Sequence, residues 1–433
     1  MTIIDTVVIG AGHAGLAVSR LLTGAGREHV VLDRGRVGER WRTERWDSLH
    51  LLTPNWMTRL PGWSYRGPEP EGYMSAPRLV RHLERYAASF GAPVIGGTTV
   101  EDLSAGNGRL DGLDRRWVIG TDRGTWRARH VIIATGPYSA PHLPSGLARA
   151  VAADVLASSQ YRTPAGLAPG GVLVVGASSS GVQIADELAR AGRTVVLAVG
   201  RHTRMPRRYR GMDIFWWLHS TGRLARTIDD MPDPSAARRE PSLQLIGSGE
   251  PERYAQDLDL ASLQASGVQL IGRLDRIAGS TAHFRSDLAD TVAAADLRMH
   301  RFLDRVDEYV EHADMAADKV WPGPRPRPRP VEVSAAPNRR DLRREGIVTV
   351  LLATGYRPDY PWLRLPITAP DGTIHQYRGV TPAPGIYVVG QRFQHRRDSG
   401  YIDGARQDAR AVVQHLLTGS FKAALRASEE SAA

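Results

Sequence analysis

Short apolar runs and amphipathic stretches alternate along this chain. Apolar runs, several of them ending at glycine, predict buried strands at residues 6–9, 29–32, 131–136, 172–175, 194–199, 348–355 and 385–391. Apolar residues spaced three and four apart predict helices at residues 16–22, 77–90, 182–191, 286–312 and 400–417. The alternation indicates strand, turn and helix units of the kind found in α/β proteins.

Two of the strand-to-helix turns are rich in glycine. Residues 10–15 read Gly-Ala-Gly-His-Ala-Gly, and residues 176–181 read Gly-Ala-Ser-Ser-Ser-Gly. At such a turn, backbone N–H groups and the start of the helix bind the pyrophosphate of a dinucleotide. Ser178 replaces the middle glycine, although its hydroxyl is able to donate a hydrogen bond to a phosphate. The pair of turns predicts two nucleotide cofactors in one chain.

The residues that follow the next strand of each unit differ in charge. The strand at residues 29–32 ends in Asp33, where a carboxylate accepts hydrogen bonds from a ribose diol. The strand at residues 194–199 is followed by Arg201 and Arg204. Arginine pairs with a 2′-phosphate, which a carboxylate would repel. We therefore expect the first turn to bind FAD and the second to bind NADPH rather than NADH.

Composition limits the classes of protein to which this chain can belong. Its 433 residues allow about three domain-sized units, and no apolar run reaches the roughly 18 residues of a membrane span. The first strand begins close to Met1 without a basic segment before it, so we expect a cytoplasmic protein with no membrane partner. The chain has no cysteine, which excludes a redox-active thiol pair of its own. The histidines lack metal-ligand spacing, and no metal is expected.

The net charge is strongly positive. It is +10, and the chain contains 54 arginines against 2 lysines. The arginines are spread along the sequence among acidic residues, and no arginine and aromatic platform stands out. Coding bias explains the skew better than a binding surface does, so no nucleic-acid partner is expected.

Four further segments are interpreted from their composition. Residues 36–54 are rich in tryptophan and arginine, which suits either the rim of an isoalloxazine pocket or a packed connecting loop. The apolar stripe of residues 286–312 is typical of a core and also fits a homodimer contact. Alternating proline and arginine at residues 322–330 predict an extended loop. The helix at residues 400–417 is expected to direct its N-terminus at the pyrimidine end of a flavin.

The strands at residues 131–136 and 348–355 both close on Ala-Thr-Gly. We interpret them as the points at which the chain leaves one nucleotide domain and re-enters it. The predicted fold class is α/β with two Rossmann-like dinucleotide-binding domains, the NADPH domain being inserted in the FAD domain. The predicted bounds are 1–144 for the first part of the FAD domain, 145–345 for the NADPH domain with a helical insertion at about 211–330, 346–420 for the second part of the FAD domain, and 421–433 for a tail.

The sequence resembles the class B flavin-containing monooxygenases, in particular bacterial NAD(P)/FAD-dependent oxidoreductases. The resemblance rests on GAGHAG, GERWRTERWDSLHLLTP, VVGASSSGVQIADEL, PRRYRGMDIFWW, LLATGYRPDY and the Gly-Gln end of the last strand, and it covers nearly the whole chain. It implies the architecture of the disulfide reductases. It also implies a reaction in which NADPH reduces FAD, O2 forms a flavin C4a-hydroperoxide, and a soft nucleophile or a carbonyl is oxygenated.

The chain departs from the pattern of that family in two places. The fingerprint FxGxxxHxxx(Y/F) falls between Val151 and Tyr161, where Val151, Ala153 and Ala157 replace its Phe, Gly and His. Many relatives also place an asparagine beside the flavin where this chain has Leu52, which cannot hydrogen-bond a peroxide. Other groups would then stabilise the peroxide, or the enzyme would release H2O2.

The candidate site residues follow from these turns, strand ends and segments. No catalytic side chain is assigned, but Asn55 and Gln391 are candidates for stabilising a peroxide. The residues expected to bind FAD are Gly10, Gly12, His13, Ala14, Gly15, Asp33, Arg34, Arg40, Trp41, Leu52, Thr53, Ala134, Thr135, Gly136, Gly390, Gln391, Tyr401 and Ile402. Those expected to bind NADPH are Gly176, Ser178, Ser179, Ser180, Gly181, Arg201, Arg204, Ala353, Thr354 and Gly355. Arg207, Arg208 and Arg210 either clamp NADP or an anionic substrate, or are solvated surface residues.

The leading hypothesis is an NADPH- and FAD-dependent monooxygenase that acts on a small molecule and O2. The alternative is an NADPH-dependent flavoprotein oxidase or reductase that passes electrons to O2 or to a carrier protein without oxygen insertion. The altered fingerprint and Leu52 favour this alternative. A flavin-bearing binding or regulatory protein is a third hypothesis, since intact loops do not guarantee turnover.

Overall fold

The computed structural model describes residues 1–106, 117–144, 147–151, 153–254, 256–312, 329–333 and 338–420. The predicted tail at 421–433 lies outside the described residues. So do the predicted extended loop as far as residue 328 and residue 152 of the fingerprint segment.

The strands and helices of the described residues are numbered here in chain order. The first strands are β1 Thr2–Ile9, β2 His29–Leu32, β3 Val94–Ile95, β4 Val100–Ala105, β5 Trp117–Thr121, β6 Gly124–Ile133, β7 Ala140–Pro141, β8 Leu147–Val151, β9 Asp154–Ala157, β10 Gly171–Val175 and β11 Val195–Ala198. The later strands are β12 Thr203–Arg204, β13 Arg208–Tyr209, β14 Met212–Asp213, β15 Leu243–Gln244, β16 Gln269–Ile271, β17 Leu274–Gly279, β18 Thr281–Phe284, β19 Arg339–Asp341, β20 Ile347–Leu352, β21 Tyr356–Arg357 and β22 Ile386–Val388. The α-helices are α1 His13–Gly24, α2 Glu39–Thr43, α3 Ala76–Ser89, α4 Ser179–Arg190, α5 Ile214–Ser220, α6 Pro234–Arg238, α7 Leu260–Ala265, α8 Leu288–His312 and α9 Ile402–Thr418.

The first of two units in the molecule is built on a mixed sheet. Its strand order is β3-β2-β1-β6-β5-β4, and β22 pairs with the end of β6. Strands β1, β2, β3, β6 and β22 are parallel, whereas β4, β5 and the start of β6 form an antiparallel meander. Helices α1, α3 and α9 pack on this sheet through one apolar cluster. The carboxyl ends of β1, β2, β6 and β22 therefore meet at one edge.

A second sheet repeats the same plan. It is wholly parallel in the order β16-β11-β10-β20-β9. Helix α4 follows β10 as α1 follows β1, and β20 lies beside β10 as β6 lies beside β1. An additional sheet of order β19-β18-β17-β8 packs against the second sheet. The predicted α/β class with two Rossmann-like units is confirmed.

The chain crosses between the two units along a pair of short strands. Strand β6 leads into β7, and β20 leads into β21. Strands β7 and β21 pair antiparallel, with Tyr356 opposite Pro141 and Arg357 opposite Ala140. The second unit thus lies between two crossing segments that contact each other, as expected for an inserted domain.

Two predicted bounds need correction. The sequence assigned residues 346–420 to the first unit, but β20 pairs with β10 and β9 of the second sheet, so the return to the first unit comes after Leu352. The segment 211–330 was expected to be a helical insertion. It does contain α5, α6, α7 and α8, but it also contains β16, an edge strand of the second sheet, and the β17–β18 hairpin. Apolar runs as short as these strands do not distinguish strand from helix by periodicity.

The apolar stripe of α8 is buried within its own chain. Leu288 and Val292 join the apolar cluster of the second sheet, whereas Met299, Phe302 and Val306 pack in a cluster with α5. The homodimer contact that the stripe was thought to fit is therefore not supported. No helix in the described part of the chain combines the length and the apolar character needed to cross a membrane.

Candidate cofactor and active site

The first glycine turn has a backbone that only glycine can follow at two positions. Gly10 has a φ of +111°, and a β-carbon there would lie 2.7 Å from the carbonyl oxygen of Ala134. A β-carbon on Gly15 would lie 1.9 Å from the carbonyl oxygen of Gly10. A β-carbon on Gly12 would meet nothing within 4 Å, and α1 begins there without a side-chain cap. The turn thus presents open space at an uncapped helix start, which suits a phosphate.

Asp33 holds this turn in place. One carboxylate oxygen accepts the N–H of Ala11 at 2.6 Å, and the other accepts the N–H of Gly35 at 2.8 Å. A carboxylate has lone pairs left after two such bonds, so Asp33 is still able to accept from a ribose. Gly390, at the end of β22, comes so close to the turn that a β-carbon there would lie 2.8 Å from Cβ of Ala14.

The second glycine turn has the same geometry. Gly176 has a φ of +108°, and a β-carbon there would lie 2.5 Å from the carbonyl oxygen of Ala353. A β-carbon on Gly181 would lie 1.8 Å from the carbonyl oxygen of Gly176. Ser178 has φ −84° and ψ −173°, and Gly12 has φ −79° and ψ −178°. Ser178 thus adopts without strain the backbone that Gly12 adopts, and α4 also begins without a side-chain cap.

Three arginines gather at the carboxyl end of β11. Arg201 is exposed just after the strand, and a β-carbon on Gly200 would lie 3.5 Å from Nε of Arg273. Arg298 donates to the carbonyl oxygen of His202 at 2.6 Å. Burial lowers the pKa of Arg298, and the positive charge of Arg201 lowers it further, against the attraction of Glu240. Among the described residues neither Arg201 nor Arg273 forms an ion pair, so this group of charges suits an anion.

Arg204, predicted to join that site, is held elsewhere. It is buried, and it donates to Asp259 at 2.5 Å and to Asp296 at 2.9 Å. It does not line the cleft described below, so we leave it out of the proposed NADPH site. Arg273 and Arg298 were not predicted, because both are distant in sequence from the second glycine turn. The helical register of α8 was the only signal for Arg298.

A cleft of about 1780 Å³ lies between the two sheets. Its lining includes most of the second turn, Ala353 to Gly355, and four of the predicted FAD residues, namely Trp41, Leu52, Gln391 and Tyr401. Residues 10–15 of the first turn are not part of this lining. Among the described residues, thirteen arginines and four carboxylates line the cleft. Arginines that are scattered in the sequence therefore converge in space and make the cleft strongly positive.

Two further predicted FAD residues, Arg34 and Arg40, form polar contacts with other parts of the chain. Arg40 donates to the carbonyl oxygens of Ser139 at 3.1 Å and Thr135 at 3.5 Å. Arg34 is exposed and pairs with Glu44 at 2.5 Å. The tryptophan-rich segment at residues 36–54 is consistent both with a pocket rim and with a packed connecting loop. Trp41 lines the cleft, whereas Trp46 is buried in the core of the second sheet.

The two catalytic candidates differ in position. Gln391 lines the cleft, where its Oε1 accepts from the hydroxyl of Tyr360 at 3.3 Å. Asn55 is fully buried outside the cleft lining, and its Nδ2 donates to the carbonyl oxygen of Glu69 at 2.8 Å. We therefore keep Gln391 as a candidate and set Asn55 aside.

Several buried polar atoms near the two turns have no hydrogen-bond partner among the described residues. They are Nε2 of His13, Oγ1 of Thr135 and Nε2 of Gln391 near the first turn, and Oγ1 of Thr203 and Oε1 of Gln244 near the second. Burial lowers the pKa of His13 to about 4, so this histidine is neutral at neutral pH. Buried polar groups are normally paired, and the unpaired groups beside the two turns fit two polar cofactors.

Arg207 is neither a cofactor clamp nor a surface residue. It is fully buried and donates to Asp213, which also accepts the hydroxyl of Tyr73 at 2.6 Å. It also donates to the carbonyl oxygen of Leu52 at 2.9 Å. This buried ion pair ties the segment beside the first turn to the second unit, and it positions Leu52 in the cleft.

Comparisons with known proteins agree with this architecture. Residues 7–213 match the family model described as pyridine nucleotide-disulphide oxidoreductase. An uncharacterized CzcO-like oxidoreductase of Geobacillus kaustophilus (strain HTA426) is 29% identical over 421 residues, which cover 96% of this chain and 99% of that protein. Indole-3-pyruvate monooxygenase YUCCA1 of Oryza sativa subsp. japonica is 30% identical over 217 residues, 48% of this chain and 51% of that protein.

Solved structures show the same fold. A flavin-containing monooxygenase from Stenotrophomonas maltophilia aligns with a TM-score of 0.63 and 20% identity over 96% of this chain and 99% of that one. The resemblance indicated by the sequence motifs is confirmed. The chain is similar in sequence to proteins named as oxidoreductases and monooxygenases, and it has the fold of the flavin-containing monooxygenases.

Proposed function

We propose that this protein is an NADPH- and FAD-dependent monooxygenase that oxygenates a small molecule. The observation that carries the proposal is the pair of glycine turns with one backbone geometry and opposite charges after the following strands. Asp33 holds the first turn, whereas Arg201, Arg273 and Arg298 gather beside the second.

FAD fits the first turn. Its pyrophosphate would lie at the uncapped start of α1 over Gly12, and its ribose would meet Asp33. Thr135 and His13 offer buried polar atoms that lack partners among the described residues. When bound, the flavin supplies the redox chemistry, and the chain supplies binding, orientation and exclusion of water.

NADPH fits the second turn. Its pyrophosphate would lie at the start of α4, and its 2′-phosphate would lie among Arg201, Arg273 and Arg298. We further propose that residues 1–144 and those after Leu352 form the FAD domain and that the residues between form the NADPH domain. The two sites face one cleft, so the chain brings both cofactors to the same space.

The walls of the cleft suit an oxygenation. Trp41, Leu52 and Tyr401 supply apolar surface that excludes water. Gln391 offers a buried amide N–H that has no partner in the part of the chain that the structure describes. The chain has no cysteine, so its own residues offer no thiol pair to carry electrons to a disulfide. The partners are thus a small-molecule substrate and O2.

One observation favours the alternative function of an oxidase or reductase without oxygen insertion. Leu52 lines the cleft, and its side chain offers no hydrogen bond to a reduced oxygen species. If Gln391 does not supply that bond, H2O2 would be the product.

The two functions differ in where the oxygen atoms go. The FAD-loaded enzyme would be supplied with NADPH, 18O-labelled O2 and methyl phenyl sulfide, and NADPH loss, H2O2 and sulfoxide would be measured together. A monooxygenase forms sulfoxide with one labelled oxygen for each NADPH consumed. H2O2 equal to the NADPH consumed, with no labelled product from this or other soft nucleophiles or ketones, would establish the oxidase. Absence of bound flavin would contradict both.

A further inference from the structure

A second group of arginines lines the cleft beyond the proposed 2′-phosphate site. Arg223 follows α5, Arg305 lies on α8, and Arg397 lies just before α9. These three residues, called here the Arg223 cluster, come from three different elements. They include none of the residues assigned to either cofactor.

The Arg223 cluster lies about two helical turns along α8 from the proposed 2′-phosphate site. Arg298 and Arg305 are seven residues apart on α8, which corresponds to about two turns and roughly 10.5 Å along the axis. Both line the cleft, and so does Phe302, which lies between them on the same face. The pyrophosphate and the 2′-phosphate of NADPH are thus accommodated without the Arg223 cluster.

The cluster has more positive charge than its carboxylate neutralises. Arg397 forms an ion pair with Glu240, whereas Arg223 has no ion pair among the described residues. Burial lowers the pKa of Arg223 to about 10, and the charge of Arg397 lowers it further. Glu240 acts in the opposite direction, whereas Arg305 and Arg226 also lower this pKa. Half-buried guanidinium groups that repel one another are stabilised by a bound anion.

Apolar side chains surround the cluster. Leu218, Leu224 and Phe302 line the same wall, next to Tyr401 and Leu52. Tyr401 packs edge to face on Phe215 with ring centroids 5.9 Å apart. Burial raises the pKa of its hydroxyl, and the charge of Arg397 lowers it. The cluster therefore adjoins the residues that we place beside the flavin.

We infer that the substrate is a small organic acid, whose carboxylate binds the Arg223 cluster and whose apolar body lies on Leu218, Leu224 and Phe302. The inference rests on the proposed function, because it names the substrate class of the same active site. An acid bound in this way would present its far end to the flavin side of the cleft.

Two probes of the same shape and different charge test this inference. 4-(Methylthio)benzoate carries a carboxylate and an oxidisable thioether, and 4-(methylthio)benzamide is its neutral counterpart. Each would be titrated calorimetrically into FAD-loaded enzyme saturated with NADP+. We expect the carboxylate to bind at least about tenfold more tightly than the amide.

Substitutions of single arginines show which residues cause the preference for the carboxylate. Arg223→Gln and Arg305→Gln should each weaken binding of the carboxylate about tenfold and leave amide binding and the KM for NADPH unchanged. Arg226→Gln is the matched control, because its charge acts on Arg223 from outside the cleft lining. It should weaken binding of the carboxylate by no more than about twofold. Arg305 is exposed, so its variant remains informative if Arg223→Gln does not fold.

Several results would overturn the inference. They are equal binding of both probes, failure of the carboxylate to bind, an equal loss in Arg226→Gln, or a rise in the KM for NADPH in Arg223→Gln. A failure of the proposed function has a different signature. Tight, Arg223-dependent binding of the carboxylate with H2O2 as the only oxygen product would retain the anion site and reject the monooxygenase.

Discussion

The two glycine turns of this protein share a backbone and differ in their charged surroundings. In each, a β-carbon on the last glycine would lie within 2 Å of the carbonyl oxygen of the first, 1.9 Å for Gly15 and 1.8 Å for Gly181. At the first turn, the carboxylate of Asp33 accepts two backbone N–H groups. At the second turn, arginines lie nearby instead.

This difference distinguishes the residues that the fold requires from the residues that select the cofactor. Close packing of the turn against Ala134 or Ala353 fixes glycine at the first position of each turn, whatever nucleotide binds. The middle position is open, and Gly12 and Ser178 occupy it with nearly the same dihedral angles. Cofactor choice therefore depends on side chains that reach the turn from other elements.

The largest effects should come from the last glycines. Gly15→Ala should abolish FAD binding, and Gly181→Ala should abolish NADPH oxidation while FAD stays bound, because each β-carbon overlaps a backbone oxygen. Bound flavin and NADPH oxidation would be measured on the purified variants. Gly12→Ala is the control and should still fold, since a β-carbon there meets nothing within 4 Å. Full flavin content in Gly15→Ala would show that the two turns are not equivalent.

The next largest effect should come from the arginines at the second turn. Arg201→Gln and Arg298→Gln should each raise the KM for NADPH about 10- to 100-fold and leave the KM for NADH nearly unchanged, because only NADPH carries the 2′-phosphate. Steady-state kinetics with both nucleotides checks this. Arg208→Gln, an exposed residue outside the cleft lining, should change neither value. Equal losses with NADH and NADPH would contradict the assignment.

A smaller effect is expected at Asp33. Asp33→Asn replaces a charged acceptor of two backbone N–H groups by a neutral side chain, and we expect FAD affinity to fall about tenfold. Fluorescence titration of the apoprotein with FAD measures the affinity. The KM for NADPH, measured at saturating FAD, should not change. An unaltered affinity for FAD would show that the carboxylate stabilises the turn and does not contribute to FAD binding.

The smallest effect concerns Asp408 in α9, the helix that packs on α1. Burial raises the pKa of Asp408 to about 7, above its usual value near 4. The protonated form is thus favoured in the folded state, and its contribution to stability is lost as the pH rises from about 4 through 7. Asp408→Asn should raise the thermal midpoint by a few degrees at pH 8 and leave it unchanged at pH 4 to 5. A benefit that is the same at both pH values would contradict this account.

Much of the fold could be predicted because its signals are local. The strand at residues 29–32, the glycine turns and the stripe of α8 each depend on neighbours within a few residues, and all lie where the pattern placed them. The bound at 345/346 was wrong because strand pairing is not local. β20 resembles β6 in sequence but pairs with β10.

The site was harder to predict because side-chain direction and convergence depend on the whole fold. Arg204 is three residues from Arg201, yet its side chain is turned inward to Asp259 and Asp296. Arg298 is about a hundred residues away and contacts the same strand end. The positive charge, attributed to coding bias from the sequence, proves to be concentrated in one cleft.

The most direct test of the central claim is an anaerobic titration of the FAD-loaded protein with NADPH and, separately, with NADH. The loss of visible flavin absorbance would be followed at each concentration. We expect NADPH to reduce the flavin at concentrations at least about tenfold lower than those that NADH requires. Equal reduction by both nucleotides, or reduction by neither, would contradict the assignment of the two turns.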